Sequence, residues 1–445
     1  MSRVCVIGLG YIGLPMAAML ASRGHAVLGC DLDARVVAGV NAGQAHFQEP
    51  DLDMLLAAAV QTGRLRAVTR PAEAEFFVIA VPTPFDAAHR PDLSCVDAAT
   101  AAIAPVLKAG DTVILESTSP VGTTERIAAQ LAALRPDLVL PRPDAAAPAG
   151  CVHLVHCPER ILPGALLREL VQNDRILGGV TPDCARRART LYESFVTGRI
   201  HLTDCRSAEL CKLAENAFRD VNIAFANELS LICERLGIDV WELRRLANNH
   251  PRVDILQPGP GVGGHCIAVD PWFIIAAAPQ EARLIRTARA VNDAKTEHVL
   301  DQIRMAAARH SARAGRPARI ACLGLAFKAN VADLRESPAL RIVEALAHEH
   351  PGRIMVVEPH LRALPESLAG RVRLAGLGAA LADADVCALL VDHDAFRAVP
   401  RPARAGLTVV DTRGLWSGGP REARTGSGNK PLQNLVLNLS HHMPL

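Results

Sequence analysis

Aromatic side chains are scarce in this sequence. Phenylalanine, tryptophan and tyrosine make up 3% of the 445 residues, although half of all residues are apolar, so the core must be largely aliphatic. The formal net charge is only +2, which gives no reason to expect nucleic acid or an anionic membrane as a partner. The length predicts two or three domains.

Paired cysteine motifs are also missing. None of the 12 cysteines forms a C-x-x-C pair, which argues against a zinc ribbon or a thioredoxin-type site. The stretch CVHLVHC (Cys151 to Cys157) mixes cysteine and histidine, but its apolar residues are typical of a buried strand, and we predict no metal site. Unpaired thiols in a chain of this size favour a cytoplasmic location.

The longest uncharged run does not have the features of a membrane segment. It covers 18 residues from Val4 to Ala21, which is long enough to span a bilayer. However, it contains three glycines and a proline, and only Arg3 precedes it as a basic residue. The run therefore predicts a strand, a turn and a helix, and we expect no membrane insertion.

Short apolar runs alternate with helical patterns, which predicts an α/β fold with parallel sheets covered on both faces. The predicted strands are Val4–Gly8, Val27–Asp31, Phe76–Val81, Thr112–Glu116 and Leu154–Cys157, then 319–327, Ile354–Pro359, Val386–Leu390 and Thr408–Asp411. One long helix is predicted from Cys205 to Gly237, and another helix after Pro338. We predict two Rossmann-like doubly wound domains joined by this long central helix.

The pattern divides the chain into four parts. Residues 1–203 form the predicted cofactor domain, 204–312 a central helical domain, and 313–416 a second Rossmann-like domain that binds a nucleotide. Residues 417–445 are rich in Gly, Ser, Arg and Pro, and we expect a poorly ordered tail.

The segment GLGYIG places Gly8, Gly10 and Gly13 at G-x-G-x-x-G spacing directly after the first predicted strand. Such glycines let a pyrophosphate approach a helix N-terminus. Asp31 ends the next strand, where a carboxylate can accept hydrogen bonds from ribose hydroxyls and repel a 2′-phosphate. The segment therefore predicts NAD rather than NADP, although an ordinary glycine turn would share the spacing.

Polar side chains follow three of the predicted strands, where ligands bind in such sheets. Thr83, Thr118 and Thr124 are candidates to line a cofactor or substrate. Glu159 can act as a base or hold a water, with Arg160 beside it. Loop polarity and a surface ion pair are the simpler explanations.

The long helix and a glycine-rich loop carry the remaining candidates. Lys212, Asn216 and Arg219 lie at i, i+4 and i+7 and therefore share one helix face. Cys266 follows four glycines and precedes Asp270 by four residues. Glycines let a ligand approach the thiol, and a nearby cation such as Lys212 would favour the nucleophilic thiolate. A solvated helix face and an inert buried thiol are the alternatives.

The loop GLAFKANVADLRESP follows the first strand of the second Rossmann-like domain. Lys328, Arg335 and Arg341 stand where glycines would otherwise hold an anion. These side chains suit a nucleoside diphosphate.

Five segments, in order, resemble the UDP-glucose/GDP-mannose dehydrogenase family over about residues 3–416: ESTSPVG, CPER, FRDVNIAFANELSLIC, HPRV and LQPGPGVGGHCIAVDPWF. The resemblance implies a two-step NAD-dependent oxidation of a UDP-sugar 6-hydroxyl to a carboxylate. The most similar branch acts on UDP-N-acetyl-D-mannosamine for cell-surface polysaccharide synthesis. UDP-N-acetyl-D-glucosamine and UDP-glucose stay open as substrates.

The resemblance also implies roles for individual residues. Cys266 matches the nucleophile, and Lys212 the acid/base or oxyanion stabiliser; we add Glu159, Thr118, Asn216 and Asp270 to the predicted catalytic set. The cofactor positions are Gly8, Gly10, Tyr11, Ile12, Gly13, Asp31, Arg35, Thr83, Thr124 and Arg335. The substrate positions are Arg160, Ile161, Lys212, Asn216, Arg219, His250, Arg252, Gly263, Phe327, Lys328 and Arg413.

Two further expectations come from the family. Some of its substrate contacts come from a partner subunit, which implies a homodimer or larger assembly. Many relatives carry a second glutamate four residues after the one that matches Glu159, where this chain has Pro163.

Two other functions fit the sequence less well. A short-chain reductase epimerase needs Tyr-x-x-x-Lys, but Pro15 and Val196 stand four residues after the two tyrosines. A non-catalytic NAD-binding protein stays open, but it leaves Cys266 and Lys212 unexplained.

Overall fold

The computed structural model describes residues 1–86, 89–143, 148–161 and 164–416. The first half of the chain builds one eight-stranded sheet of order β3-β2-β1-β4-β5-β6-β7-β8. Its strands are β1 Arg3–Ile7, β2 Ala26–Cys30, β3 Leu65–Val68, β4 Phe76–Ile79, β5 Thr112–Leu115, β6 His153–His156, β7 Arg175–Gly179 and β8 Ile200–Asp204.

Helices cover both faces of this sheet. They are α1 Gly13–Ser22, α2 Ala34–Asn41, α3 Leu52–Gln61, α4 Ser94–Ile103, α5 Thr123–Leu134, α6 Leu166–Gln172 and α7 Pro182–Tyr192, with a 3₁₀ turn at Ala104–Val106. Side chains alternate along each strand, so Val4 and Val6 join one core cluster, whereas Cys5 and Ile7 join the other. The two cores confirm the doubly wound arrangement.

The sheet is not parallel throughout. β7 pairs with β6 in the antiparallel sense, and β8 then runs parallel to β7. The sequence patterns do not predict β7 or β8, and the predicted parallel pairing holds for the described strand pairs of this sheet except β6 with β7. β8 ends directly before the residue at which the central helix begins.

The central region is built on two long helices, α8 Cys205–Leu236 and α11 Arg283–Ala314. Asp204 accepts from the N–H of Ser207 at the start of α8, and Gly237 ends it in the left-handed conformation (φ +68°), as the sequence predicts. Two short helices lie between them, α9 Val240–Ala247 and α10 Asp270–Ala277.

A buried polar network joins the two long helices. The Arg289 guanidinium donates to Asp220 Oδ1 (2.8 Å), and Asn292 Nδ2 donates to the same oxygen (2.8 Å). Asn227 Nδ2 donates to Asn292 Oδ1 (2.9 Å), and Asn227 Oδ1 accepts from the backbone N–H of Gly259 (2.9 Å). The network therefore fixes the start of the glycine-rich loop to α8.

The last part of the chain forms a five-stranded parallel sheet of order β11-β10-β9-β12-β13. Its strands are β9 Ile320–Leu323, β10 Ile354–Val357, β11 Arg373–Leu374, β12 Val386–Leu389 and β13 Thr408–Asp411. The helices are α12 Pro338–Glu349, α13 Leu377–Asp383 and α14 Asp394–Arg397, with a 3₁₀ turn at Glu366–Leu368. Ile320 and Cys322 enter one core cluster and Ala321 and Leu323 the other, which confirms the second Rossmann-like domain.

Two further sequence predictions concern the C-terminal tail and the uncharged N-terminal run. The predicted disordered tail, 417–445, lies outside the described residues. Within the described ranges, no helix combines the length and apolar character that crossing a membrane would need.

Candidate functional site

The glycine loop between β1 and α1 has the shape that a dinucleotide needs. Gly8 has φ +89°, and a Cβ on Gly8 would lie 2.7 Å from the carbonyl oxygen of Ala80. A Cβ on Gly13 would lie 1.9 Å from the Gly8 carbonyl oxygen, so only glycine permits this packing of helix against strand. A Cβ on Gly10, by contrast, would have no described atom within 4 Å, which leaves space for a phosphate.

Asp31 fixes the same loop from the end of β2. Its Oδ2 accepts from the backbone N–H of Leu9 (2.9 Å) and its Oδ1 from that of Asp33 (2.9 Å). Each oxygen keeps a second lone pair that a ribose hydroxyl can use. The open face of Gly10 and the carboxylate of Asp31 together fit NAD. The exposed Arg35 pairs with Asp33 instead of with this loop.

Tyr11 and Ile12 lie between the glycines. The Tyr11 hydroxyl donates to Glu49 Oε2 (2.6 Å), whose carboxylate also accepts from the N–H groups of Gly164 and Leu166. Burial and the hydrogen bond to Glu49 raise the pKa of Tyr11, and the positive charge of Arg335 opposes that rise. Tyr11 therefore lies where the first and the last domains face one another.

The three predicted threonines have different environments. Thr83 Oγ1 donates to the backbone oxygen of Thr118 (2.6 Å), which joins the loops after β4 and β5. Thr124 is fully buried, and its hydroxyl donates to Glu209 Oε1 (2.6 Å). Direct cofactor contact by the Thr124 side chain thus stays a prediction.

Sequence reasoning missed Glu209. This buried carboxylate of α8 accepts from the backbone N–H groups of Gly122 (2.6 Å) and Thr124 (2.8 Å) at the start of α5. A carboxylate is stabilised at a helix N-terminus. Because Glu209 lies one turn before Lys212, it ties the predicted catalytic face of α8 to the cofactor domain.

Lys212, Asn216 and Asp270 come together. Asn216 Nδ2 donates to Asp270 Oδ2 (2.5 Å), which joins α8 to the first residue of α10. Leu213, Val269 and Phe273 form a buried apolar cluster beside this contact. Burial raises the pKa of Asp270 to about 6, although the hydrogen bond from Asn216 and the charge of Lys212 lower it.

Cys266 belongs to the cysteine loop, residues 259–269, which packs against the second Rossmann-like domain. A Cβ on Gly263 would lie 2.4 Å from the Glu336 carbonyl oxygen, and one on Gly264 (φ +88°) 2.8 Å from the Phe327 ring. The N–H of Gly264 donates to the Arg335 carbonyl oxygen (3.0 Å). The predicted residues Phe327 and Arg335 are therefore neighbours of the cysteine loop, which itself contains the predicted Gly263.

The resting thiol of Cys266 is protonated at neutral pH. Burial and the negative charge of Asp270 raise its pKa to about 11, while Lys212 and Arg335 act in the opposite direction. The charge of Lys212 therefore acts in the predicted direction, but the effect of burial is larger.

Glu159 lies in a buried charge cluster just beyond the carboxyl ends of β5 and β6. Its Oε1 accepts from the N–H of Arg160 (2.6 Å), and its Oε2 lies 3.5 Å from Nη1 of the buried Arg175. Glu116, next to it at the end of β5, accepts from the Tyr192 hydroxyl (2.5 Å). Burial and then the charge of Glu159 raise the pKa of Glu116 to about 7. Sequence reasoning found Glu159 but missed Glu116 and Arg175.

Arg160 connects the cofactor domain with the central helix, and Ile161 stays within the cofactor domain. The Arg160 guanidinium pairs with Glu215 of α8 (2.9 Å), whereas Ile161 packs against the apolar core. Arg219 is exposed on α8, and His250 and Arg252 are exposed after α9. The structure does not bring these last three residues into contact with Cys266. Pro163 lies outside the described residues.

Lys328 and Arg413 come from the second Rossmann-like domain. The Lys328 ammonium lies 5.8 Å from the centre of the Phe327 ring. Arg413 Nε donates to Asp392 Oδ1 (3.0 Å), and its Nη1 donates to the Pro258 carbonyl oxygen (3.4 Å). Arg413 therefore contacts the residue just before the cysteine loop.

Family models account for most of the chain. The UDP-glucose/GDP-mannose dehydrogenase family matches with its NAD binding domain at residues 2–196, its central domain at 206–294 and its UDP binding domain at 321–418.

Individual proteins are similar over nearly the whole length. An NDP-N-acetyl-D-galactosaminuronic acid dehydrogenase of Ralstonia nicotianae is 57% identical over 414 residues, which are 93% of this chain and 96% of that protein. A UDP-N-acetyl-D-mannosamine dehydrogenase of Salmonella typhi is 56% identical over 416 residues, 93% of this chain and 99% of that protein. The solved UDP-D-ManNAc dehydrogenase of Pyrococcus horikoshii is 36% identical, with a TM-score of 0.80 over 94% of this chain and 97% of that one.

Proposed function

Because the chain belongs to the UDP-glucose/GDP-mannose dehydrogenase family, we propose that it oxidises UDP-N-acetyl-D-mannosamine to UDP-N-acetyl-D-mannosaminuronate. The observation that carries this proposal is the position of Cys266 between Lys212, the Asn216–Asp270 contact and Arg335. When bound, NAD supplies the electron acceptor for both oxidations, and Gly8, Gly10, Gly13 and Asp31 would hold it.

Cys266 has a defined chemical task in this proposal. Its sulfur adds to the carbon 6 aldehyde that the first oxidation leaves: a C–S bond forms, and the thiol proton passes to the former carbonyl oxygen to give a hemithioacetal. Loss of a hydride from that carbon to the electron acceptor and of the hydroxyl proton to water then gives a thioester. Water then breaks the C–S bond, which releases the carboxylate and returns the thiol. The product carboxylate thus takes one oxygen from water.

The neighbouring side chains stabilise and position the reacting atoms. The positive charge of Lys212 lowers the pKa of Cys266. The same ammonium group stabilises the negative charge that develops on the hemithioacetal oxygen. Asn216 and Asp270 hold α8 against the start of α10, and the Asp270 N–H donates to the Cys266 carbonyl oxygen (2.8 Å). Glu159 is the proposed base for the hydrolytic water, with Thr118 at the neighbouring strand end. Arg160, Lys328 and Arg413 are the proposed anion-binding residues.

The configuration of the sugar is the part of the proposal that most needs a test. A relative named for N-acetyl-D-galactosaminuronic acid is as similar as those named for UDP-N-acetyl-D-mannosamine, so the galactosamine epimer is the second candidate. The experiment compares kcat/KM for UDP-N-acetyl-D-mannosamine, -galactosamine and -glucosamine and for UDP-glucose. A higher kcat/KM for any sugar other than UDP-N-acetyl-D-mannosamine would contradict the proposed substrate.

A homodimer is also part of the proposal. Phe218, Phe225, Ile232 and Leu236 are 71%, 51%, 46% and 64% exposed and lie on one face of α8, at spacings of 7, 7 and 4 residues. An exposed apolar stripe of this kind suits a second copy of the same helix. Phe225→Glu should yield monomers in sedimentation experiments, whereas Met54→Glu, a change at an exposed residue of α3, should not. An unchanged mass for Phe225→Glu would exclude this face.

The location and the domain limits remain predictions. All twelve cysteines lie in the described ranges and are free thiols, which supports the cytoplasm. The two separate sheets and the three matched family ranges support boundaries near residues 203, 312 and 416.

A further inference from the structure

The loop that follows β9, residues 324–330, is held at both ends by one pair of buried side chains. Glu358 directly follows β10, and His393 lies between β12 and α14. The two residues therefore come from the strands on either side of β9. Both side chains have 0% exposure, and His393 Nε2 lies 3.2 Å from Glu358 Oε2. We call residues 324–330 the β9 loop.

Glu358 holds the start of the β9 loop. Its Oε2 accepts from the backbone N–H groups of Leu325 (2.7 Å) and Ala326 (3.3 Å), and its Oε1 accepts from that of His360 (3.1 Å). Burial by itself would raise the pKa of Glu358, but hydrogen bonds from His393 and from the N–H groups of Leu325 and His360 lower it. The carboxylate therefore acts on the backbone of the loop and not on a ligand.

His393 holds the end of the same loop. Its Nδ1 accepts from the backbone N–H of Asn330 (2.9 Å). A ring nitrogen that accepts carries no proton, so the ring proton is on Nε2, which donates to Glu358. Asn330 has φ +61°, and its side chain donates to Asp394 Oδ2 (2.7 Å). A chain of hydrogen bonds therefore runs from the end of the loop through His393 to Glu358 at its start.

The middle of the β9 loop faces the cysteine loop. A Cβ on Gly263 would lie 2.9 Å from the Phe327 Cβ, so the two loops are in close contact there. Lys328 follows Phe327 and is exposed. Partial burial lowers the pKa of His265, the residue before Cys266, and the charge of Lys328 acts in the same direction. The Lys328 ammonium therefore lies on the side of the loop that faces the reactive thiol.

We propose that the Glu358–His393 pair is a positioning device for the nucleoside diphosphate part of the substrate. By fixing both ends of the β9 loop, the pair places the Lys328 ammonium where it binds the diphosphate. The inference rests on the proposed function, in which Lys328 is an anion-binding residue. Glu358 and His393 are buried and do not touch the substrate, so both are positioning residues.

The expected effect of the pair is on affinity and not on the chemical steps. A loop that is already fixed loses little conformational freedom when the diphosphate binds, whereas a released loop must be ordered at that moment. Gly8 and Asp31 belong to the other sheet, so NAD binding should not depend on the pair. Loss of the pair should therefore raise KM for the UDP-sugar by about tenfold or more and change kcat by less than about threefold.

Two variants of His393 separate its contacts. His393→Leu removes both hydrogen bonds of the ring. His393→Asn keeps an oxygen near the position of Nδ1, which can still accept from the N–H of Asn330. The Kd of UDP, measured by isothermal titration calorimetry, should rise by about tenfold or more in His393→Leu and clearly less in His393→Asn. The Kd of NAD should stay native in both variants.

A loss of stability alone should not weaken UDP binding, and Leu346→Ala is the matched control for this. Leu346 is fully buried in the core beside α12, in the same domain. Its truncation leaves a cavity and destabilises the domain, but the Kd of UDP should stay native. Glu358→Gln disturbs the pair with little change in shape, because one accepting oxygen becomes a donating amide group. This variant should also raise the Kd of UDP, so the test does not depend on the folding of His393→Leu.

A double-mutant cycle shows whether the pair acts through Lys328. Lys328→Met should weaken UDP binding by itself. If His393 acts by placing Lys328, the double variant His393→Leu/Lys328→Met should have nearly the Kd of Lys328→Met alone, whereas independent effects would multiply.

The outcomes distinguish this inference from the proposed function. A native Kd of UDP in folded His393→Leu, equal losses in His393→Leu and His393→Asn, multiplied effects in the double variant, or weakened UDP binding by Leu346→Ala would each overturn the positioning role alone. A native chain that does not bind UDP would contradict the proposed function and this inference together.

Discussion

Asn216 Nδ2 lies 2.5 Å from Asp270 Oδ2, and this contact fixes the central helix α8 to the helix that follows Cys266. Lys212 lies one turn earlier on α8, so the charges of Lys212 and Asp270 both reach the thiol. Lys212 lowers the pKa of Cys266, whereas Asp270 raises it. Burial is the largest cause of the raised pKa, and the two opposite charges adjust the reactivity of the thiol from there.

Removal of the Asp270 charge should make the thiol more reactive. Asp270→Asn keeps an acceptor for Asn216 but removes the negative charge, so the pKa of Cys266 should fall. Each unit of decrease multiplies the thiolate fraction tenfold, and the lower basicity cancels part of this, which leaves a gain of about threefold in alkylation rate. The measurement is the rate of iodoacetamide labelling of Cys266 at pH 8.

Lys212→Met is the control of opposite sign, because it removes a charge that lowers the same pKa. Labelling should become slower than in the native chain. Equal labelling rates in all three proteins would show that neither charge governs the thiol.

Lys212→Ala should also lower kcat strongly. Loss of one group that stabilises developing negative charge costs on the order of 100-fold in kcat. The fold and NAD binding should survive, as circular dichroism and NAD titration would show. Lys108→Ala, a change at an exposed lysine, should turn over normally. Near-native kcat in a folded Lys212→Ala enzyme would place Lys212 on a merely solvated helix face.

NAD should be strongly preferred over NADP, because the Asp31 carboxylate accepts from ribose hydroxyls and repels an added phosphate. Asp31→Ala should lower the ratio of kcat/KM with NAD to kcat/KM with NADP. It should also weaken NAD binding, since the N–H groups of Leu9 and Asp33 lose their acceptor. A native enzyme that uses both cofactors equally would contradict the role of Asp31.

Glu116 should make stability depend on pH. Its pKa is raised from 4.5 to about 7 in the folded chain, so between these values the folded chain holds a proton that the unfolded chain has released. The free energy of unfolding must therefore fall as pH rises through this window. Glu116→Gln has no group that ionises at this position. The free energy of unfolding of the variant minus that of the native chain should therefore increase by on the order of 2–3 kcal/mol from pH 4.5 to 8.

Urea unfolding at several pH values measures this difference. Glu193→Gln, a change at an exposed carboxylate, should follow the native pH dependence. If the free energy of unfolding changes with pH in the same way for Glu116→Gln and for the native chain, the pKa of Glu116 is not raised by folding.

Local signals make much of the fold predictable. Asp204 and Gly237 mark the two ends of α8 through capping geometry that depends only on neighbouring residues. The strand β13 begins and ends at the residues that the sequence predicts. The strands β7 and β8 escape prediction, since the pattern of β8 shows little burial and nothing in the local sequence specifies that β7 reverses direction. Strand direction depends on the packing of distant segments.

The candidate site is predictable where its residues lie close together in sequence. The glycine loop, Asp31 and the face with Lys212 and Asn216 follow from spacing. Glu209 and Thr124 are 85 residues apart, and Arg175 and Glu159 meet only through the reversed strand. The high pKa of Cys266 depends on burial, which no local pattern measures.

The stoichiometry of NADH is the most direct test of the role of Cys266. The native enzyme should form two NADH per UDP-sugar and release no free aldehyde, because the thiol holds carbon 6 for the second oxidation. Cys266→Ser should accept the substrate but stall, with a bound ester or aldehyde-level species and little acid, as mass spectrometry of the products would show. A Cys266→Ala enzyme that still makes the uronate with two NADH per sugar, at near-native rate, would contradict the account.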